Sequence, residues 1–244
     1  MIITGIIPAR YASTRFPGKP LILIDGKTMI QRVYEQAQKS KLLNQVVVAT
    51  DSDEIFDCVN SFKGNAIMTS KMHKTGTDRI CEVAQKIKSD IIVNIQGDEP
   101  FINPRNIDNA VKPLLKDKTL NVSTLAVELS QDFYDNNKVK VVFDKNNNAL
   151  LFSRSLIPNN FKSIRKLKYY KHLGLYVYRK NFLLKFSKAK QADIELAESL
   201  EQLRILWMGE KIRVVLTKED SISIDTKSDL RKIPNYIITR GKQE

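Results

Sequence analysis

The chain has 244 residues, 42% hydrophobic and 27% charged, which is the balance of an ordinary globular protein with room for one large α/β domain or two small ones. No apolar run approaches the ~20 residues of a membrane helix, and no basic segment precedes an apolar one at the N-terminus, so neither membrane insertion nor a secretory signal is expected. The net charge of +13 fits a nucleic-acid partner, an anionic substrate or a solvated basic surface; the lysines are spread along the chain without interleaved aromatics, which favours the surface.

Taken in chain order, Ile2-Ile3-Thr4-Gly5-Ile6-Ile7 reads as a buried strand that stops at Pro8. A loop follows with Arg10, Arg15 and Lys19 among small residues and Gly18, at the edge where an open α/β sheet would hold a polyphosphate. Spacing alone leaves that loop open between a phosphate cradle and a basic surface. Met29, Ile30, Val33, Tyr34 and Ala37 form a helical face, with Thr28 and Gln31 spaced as a capping box. Val46–Thr50 is a strand, and a helix from Ser52 buries Ile55, Phe56 and Val59. Ala66–Met68 is a short strand, followed by a helix with Ile80, Val83, Ala84 and Ile87 inward. Ile91–Ile95 is a strand ending at Gln96-Gly97-Asp98-Glu99-Pro100, and Asn103-Pro104 opens the next helix.

The second half differs. Val139–Phe143 and Ala149–Ser153 flank Lys145-Asn146-Asn147-Asn148 as a hairpin. Tyr170–Tyr178 is a strand with Tyr170, His172, Gly174, Tyr176 and Tyr178 on one face. A single helix is expected to carry Leu196, Leu200 and Leu203, then come a strand at Arg213–Leu216 and a terminal helix opened by Ser223-Ile224-Asp225-Thr226. The alternation of strands and helices predicts an α/β fold: a three-layer, Rossmann-like, mostly parallel mixed sheet with an inserted β-hairpin region. The whole chain, 1–244, is read as one domain with the insertion at roughly 129–190. Cys58 and Cys81 lie in helical patterns and read as reduced core residues, which suits a cytoplasmic protein.

Asp98 directly follows a hydrophobic strand beside a glycine, at the same sheet edge as the basic loop. A carboxylate among phosphate-binding cations calls for a mediating cation, and Mg²⁺ takes one or two carboxylates plus phosphate oxygens. Asp225 occupies a comparable position and would complete that site, or else caps a helix together with Asp229. Lys74–Arg79 leads into a helix whose amides suit an anion or a base edge, although an ordinary capped helix has the same pattern. His172, Tyr176, Arg154, Glu201 and Gln202 form a mixture of donors and acceptors suited to a polyhydroxylated acid. There is no zinc cluster, nucleophile elbow or Walker motif. Together these parts suggest nucleotidyl transfer, which needs positioning and electrostatics more than a protein nucleophile.

Pro8-Ala9-Arg10-Tyr11-Ala12-Ser13-Thr14-Arg15, Pro17-Gly18-Lys19-Pro20-Leu21, Gln96-Gly97-Asp98-Glu99-Pro100, Phe152-Ser153-Arg154, His172-Leu173-Gly174 and Leu200-Glu201-Gln202-Leu203-Arg204 resemble, in order, the 3-deoxy-manno-octulosonate (Kdo) cytidylyltransferases. The resemblance implies a nucleotide-diphospho-sugar transferase fold, a homodimer contacting through the 129–190 region, and transfer of CMP from CTP to Kdo for lipopolysaccharide synthesis. It implies that Arg10, Ser13, Arg15 and Lys19 hold the triphosphate, that Ala9 also contacts the nucleotide, and that Thr69, Gly76, Thr77 and Arg79 lie near the cytidine. Asp98 and Asp225 would bind Mg²⁺, and Gln96, Arg154, His172, Tyr176, Glu201 and Gln202 would contact the sugar acid. Arg10, Lys19 and Asp98 would carry the catalysis. Asp78 departs from the pattern, since the family often has Glu there. Two other readings stand beside this one: the same chemistry on amino-Kdo or a nonulosonate, and a basic nucleic-acid-binding protein, which lacks any recognised binding motif.

Overall fold

The computed structural model describes residues 1–12 and 16–232, in two compact units: Met1–Asp108 with the segment from Ser221 onward, and Asn109–Asp220. The first unit contains, in order, β1 (Ile3–Ala9), a 3₁₀ turn (Lys19–Leu21), β2 (Leu23–Ile24), β3 (Lys27–Thr28), α1 (Met29–Gln38), β4 (Gln45–Thr50), α2 (Asp53–Ser61), β5 (Ala66–Met68), α3 (Gly76–Lys86) and β6 (Ile91–Asn94). β1 is parallel to β4 on one side and to β6 on the other, and β4 is parallel to β5, giving the order β6-β1-β4-β5. Such strands are covered on both faces by crossover helices, which is why they are near-continuous runs of Val and Ile, almost all buried. Parallel pairing also sends the carboxyl ends of β1, β4 and β6 to one edge, bringing Arg10, Asp51 and Gln96 to the same side of the sheet.

One boundary moves. β1 continues through Pro8, which lies opposite Ala49, and ends at Ala9. A proline withholds one donor, but its φ is compatible with a strand and its carbonyl still accepts. The helix starts follow from side-chain caps. The hydroxyls of Thr28, Ser52 and Thr75 accept from the amides of Gln31, Ile55 and Asp78. Only at Thr75 is the capping box complete, with the Asp78 carboxylate accepting from the Thr75 amide; at α1 the Gln31 side chain turns instead to Glu35 at 3.0 Å.

The second unit opens with α4 (Pro104–Lys116), whose residues from Asn109 onward belong to it. Asn103 caps this helix by accepting from the Arg105 amide. Then come β7 (Val122–Leu129), β8 (Lys140–Phe143), β9 (Ala149–Ser153), β10 (Tyr169–Arg179), α5 (Lys180–Phe186), α6 (Asp193–Glu198), α7 (Gln202–Trp207) and β11 (Ile212–Thr217). β7 is antiparallel to β10 and parallel to β11, and the β8–β9 hairpin reaches β10 where Lys140 faces Lys171. Asp144 builds the hairpin turn by accepting from the amides of Asn146 and Asn148 and from the Asn148 carboxamide. The 129–190 stretch lies inside this unit.

Two expectations change here, and a third holds across an irregularity. The single helix through Leu196, Leu200 and Leu203 is two short helices broken at Ser199, which sits in the left-handed region at φ 51°, and Leu196 is exposed. β10 carries an irregularity between Leu173 and Tyr176, where two residues fall outside the register with β7. An even-numbered insertion preserves the alternation, so His172, Tyr176 and Tyr178 still share a face, with ring centroids 5.2 and 5.8 Å apart in succession. Finally, among the described residues the stretch from Ser223 to Lys232 holds a 3₁₀ turn at Asp229–Lys232 and no α-helix opening at Thr226; the rest of the expected terminal helix lies outside the described residues. No helix among the described residues is long and apolar enough to cross a membrane.

Candidate active site

The first unit holds a cleft of about 300 Å³ at the carboxyl edge of its strands, lined by Pro8, Ala9, Arg10, Lys19, Pro20, the His73–Gly76 loop, Arg79, Gln96, Gly97, Asp98 and Asp225. The basic loop is pinned at its far end. Gly18 adopts φ 68°, where a side chain would be strained, and its amide donates to the Tyr11 carbonyl at 3.0 Å. The Lys19 amide donates to Phe16, whose ring is buried in a cluster with Ile24, Met29, Ile224 and Leu230. Lys19 therefore leaves a rigid turn. Arg10 is exposed at the mouth of β1, while Ser13 and Arg15 lie outside the described residues.

The Lys19 ammonium stands between two carboxylates, 2.9 Å from Asp98 Oδ2 and 3.4 Å from Asp225 Oδ1. These aspartates are distant in sequence and are joined through the backbone: the Ile224 amide donates to the Asp98 carbonyl at 2.9 Å, and the Ile224 side chain is fully buried. Asp229, not Asp225, performs the capping, its carboxylate accepting from the amides of Asp225 and Thr226 and from the Thr226 hydroxyl. That leaves the Asp225 carboxylate directed at Lys19. Two hard oxygen donors converging on one cation are the donor set that Mg²⁺ takes when phosphate oxygens supply the rest of its coordination, so the residues fit such an ion.

Asp98 owes its place to Gly97. A Cβ on Gly97 would lie 2.8 Å from the Pro8 carbonyl oxygen, closer than a methyl group can approach backbone. Gly97→Ala is therefore expected to push the Gly97-Asp98 turn off β1 and lower turnover by about 10-fold or more, with a stability loss of about 1–3 kcal/mol. Steady-state kinetics beside denaturant unfolding check this, and unchanged turnover would show that the Asp98 position tolerates displacement.

Of the residues assigned to the base side, Gly76 and Arg79 line the cleft. Arg79 is buried and held at both terminal nitrogens, by Asp51 Oδ2 at 2.6 Å and by the Thr69 hydroxyl. Thr69 thus acts on Arg79, and it also donates to the Thr50 carbonyl at 3.0 Å; Thr77 is buried in the first turn of α3. Gln96 lines the cleft, with its amide 3.4 Å from Asn94. Sequence reasoning missed His73, whose ring nitrogen is 2.5 Å from Glu82. Burial pushes the Glu82 carboxyl up, but hydrogen bonds from Lys86, the Ser70 amide and His73 outweigh it and hold it at about 2. No periodicity links His73 to Glu82, so the pair leaves no sequence signal.

The remaining candidates lie in the second unit. Arg154, at the end of β9, donates through Nε to the Glu198 carbonyl (2.8 Å), through Nη1 to Asn136 (3.1 Å) and through Nη2 to Ser199 (3.4 Å). Tyr176 Oη and Gln202 Nε2 are buried and have no hydrogen-bond partner in the described structure, the kind of orphaned polar atom a bound polar ligand would satisfy. Burial raises the Tyr176 phenol well above its ordinary value, with the nearby Tyr178 and Glu201 adding to the effect, so it stays a donor. Glu201 is 3.4 Å from Arg204, itself paired with Glu195 at 2.6 and 2.7 Å.

His172 is buried, with Nε2 2.9 Å from Thr124 Oγ1 and the Phe152 ring 5.0 Å away. Burial, with Lys171 nearby, lowers its pKa to about 3, so the imidazole is neutral at any working pH. Below its ordinary value of 6.5 the unfolded chain binds a proton that the folded chain refuses until about pH 3. Stability therefore falls as pH drops through that window and is unaffected by this group above it, a loss of about 2 kcal/mol by pH 5. His172→Gln should remove that part of the acid slope, so the stability gap between wild type and variant narrows by about 2 kcal/mol from pH 8 to pH 5 in denaturant unfolding. An unchanged gap would assign the acid sensitivity to other groups.

A family profile described as Cytidylyltransferase matches residues 4–212. The 3-deoxy-manno-octulosonate cytidylyltransferase of Geotalea daltonii is 50% identical over 99% of this chain and its own full length. That of Geobacter metallireducens is 51% identical over 96% of each chain, and that of Syntrophus aciditrophicus 44% over 98% of this chain and 99% of its own. A solved CMP:2-keto-3-deoxy-manno-octonic acid synthetase complexed with CTP superposes with a TM-score of 0.92 at 41% identity, covering 95% of this chain and 96% of that one. A 4-diphosphocytidyl-2C-methyl-D-erythritol synthase from Anaerococcus prevotii (TM-score 0.61, 16% identity, 95% of each chain) shares the nucleotidyltransferase fold. With half of its residues in common with relatives of equal length, the chain is a nucleotidyltransferase and belongs to the 3-deoxy-manno-octulosonate cytidylyltransferase family.

Proposed function

We propose that the protein transfers CMP from CTP to Kdo, releasing pyrophosphate and supplying CMP-Kdo for lipopolysaccharide biosynthesis. The observation that carries this reading is the Lys19 ammonium held between Asp98 and Asp225 on the wall of a cleft that also presents Arg10, Lys74 and Arg79. A hydroxyl of the sugar acid attacks the α-phosphorus in line and gives up its proton to water as the bond to the bridging oxygen breaks, and pyrophosphate leaves with the electron pair. Arg10 and Lys19 bind and orient the triphosphate, and Lys19 meets the charge that develops on the leaving group. Asp98 and Asp225 would hold Mg²⁺, which when bound neutralises phosphate charge. Arg154 takes the carboxylate of the sugar acid, and Tyr176 and Gln202 offer their unpartnered polar atoms to its hydroxyls.

A homodimer contacting through the 129–190 region belongs to the same proposal. Leu150, Phe161 and Ile164 are exposed apolar side chains there, which supports burial against a second copy. Neither Cys58 nor Cys81 is in a disulfide, which supports a reducing, cytoplasmic setting. Pyrophosphate release from CTP, measured with Kdo, amino-Kdo and a nonulosonate in the presence and absence of Mg²⁺, tests the function. Release with Kdo that requires Mg²⁺ is expected, and no release with any of the acids would overturn the reading.

A further inference from the structure

β8 begins with a lysine that is wholly buried. The Lys140 side chain is 0% exposed, yet its ammonium is satisfied entirely by backbone: it donates to the carbonyls of Asp135 at 2.8 Å, Lys138 at 2.8 Å and Arg154 at 2.6 Å. Three donors meet three acceptors, so the charge can stay buried without a carboxylate partner. Burial lowers the ammonium's pKa, and the three carbonyls are what hold it in place.

The acceptors lie in two places. Asp135 and Lys138 belong to the loop before β8, and Arg154 is the residue after β9. The same loop supplies Asn136, whose carbonyl takes one N–H of the Arg154 guanidinium, while Glu198 and Ser199 take two more. Lys140 thus fixes the backbone of Arg154 and, independently, the loop against which the far end of that side chain rests. A guanidinium has five N–H groups, and these three bonds leave two, one on each terminal nitrogen, which is the fork that a carboxylate takes in bidentate fashion.

We infer that Lys140 is a positioning residue, aiming the free fork of Arg154 at the carboxylate of the acceptor substrate and so setting affinity for the sugar acid without affecting affinity for the nucleotide. The inference rests on the proposed sugar-acid role of Arg154. A buried lysine with a purely structural role would affect stability alone, or both substrates together.

The test is a double-mutant cycle on the full-length protein with CTP and Kdo. Lys140→Met should raise KM for Kdo by about 10-fold while KM for CTP stays within about 2-fold. In an Arg154→Ala background the same change should add no more than about 2-fold to the Kdo effect, because residues acting through one contact are non-additive. Equal effects on both KM values, or full additivity in the double variant, would overturn the inference. If Lys140→Met does not fold, Lys140→Gln, which keeps a donor, goes through the same cycle with the same criteria. Wild type that turns over Kdo beside an unselective Lys140 variant removes only this inference, whereas wild type inert toward Kdo removes the functional reading itself.

Discussion

Lys19→Ala will lower turnover by at least about 10²-fold, the scale of losing one preorganised charge at a reacting centre. The side chain leaves a turn fixed by Gly18 in the left-handed region and by buried Phe16, so its position is set before any ligand arrives. Its ammonium lies against Asp98 and Asp225, and in the proposed role a triphosphate would exchange those partners for phosphate oxygens. The alanine variant would lose the proposed phosphate contact and would also leave two carboxylates facing the same cleft, which opposes an incoming polyanion. KM for CTP should therefore rise as kcat falls. Stability should fall by about 1 kcal/mol: the Asp225 partner is two-fifths exposed and screened by water, whereas the 2.9 Å pair with Asp98 is better shielded. Lys19→Arg is a demanding control: the charge survives, but a planar fork replaces a compact ammonium. Turnover of Lys19→Ala within a few-fold of wild type would move the phosphate cradle away from this loop.

The parts of the molecule that were legible in the sequence are those in which side chains speak for themselves. The runs at Ile3–Ile7, Val46–Ala49 and Ile91–Val93 read as buried strands, and the hydroxyls at Thr28 and Ser52 marked helix starts. Asp98 was legible as a carboxylate at a strand end, and Asp225 as its possible mate or a cap. The capping bond of Asp229 and the Ile224–Asp98 backbone bond, which separate those options, are long-range or main-chain facts that no local pattern carries. The break at Ser199 was hidden because Leu196, Leu200 and Leu203 keep helical spacing across it. Lys140 was missed for a related reason. In the run Val139–Phe143 a lysine reads as the solvent-facing residue of an edge strand, and its three acceptors are carbonyls, which every residue possesses. Arg79, read as a base-side contact at a helix start, also closes a buried ion pair with Asp51, at a sequence separation that pattern reading does not bridge.

Asp98→Asn separates binding from chemistry in the opposite direction. The change keeps the shape of the side chain and its place on the Gly97 turn but removes one negative charge 2.9 Å from the Lys19 ammonium. Lys19 is then held less firmly, and the cleft becomes more positive. Binding of CTP in the absence of Mg²⁺ should be as tight as in wild type or tighter, since a like charge near the phosphates is gone. Turnover with Mg²⁺ should nevertheless fall by at least about 10²-fold, because the carboxylate that would hold the ion against the phosphates is lost. Titration calorimetry without metal and pyrophosphate release with it read the two effects separately. Normal turnover in Asp98→Asn would remove Asp98 from the metal assignment. Weaker metal-free CTP binding would instead mean that Asp98 serves the nucleotide by holding Lys19 in place, so that the Lys19–Asp98 pair persists with ligand bound.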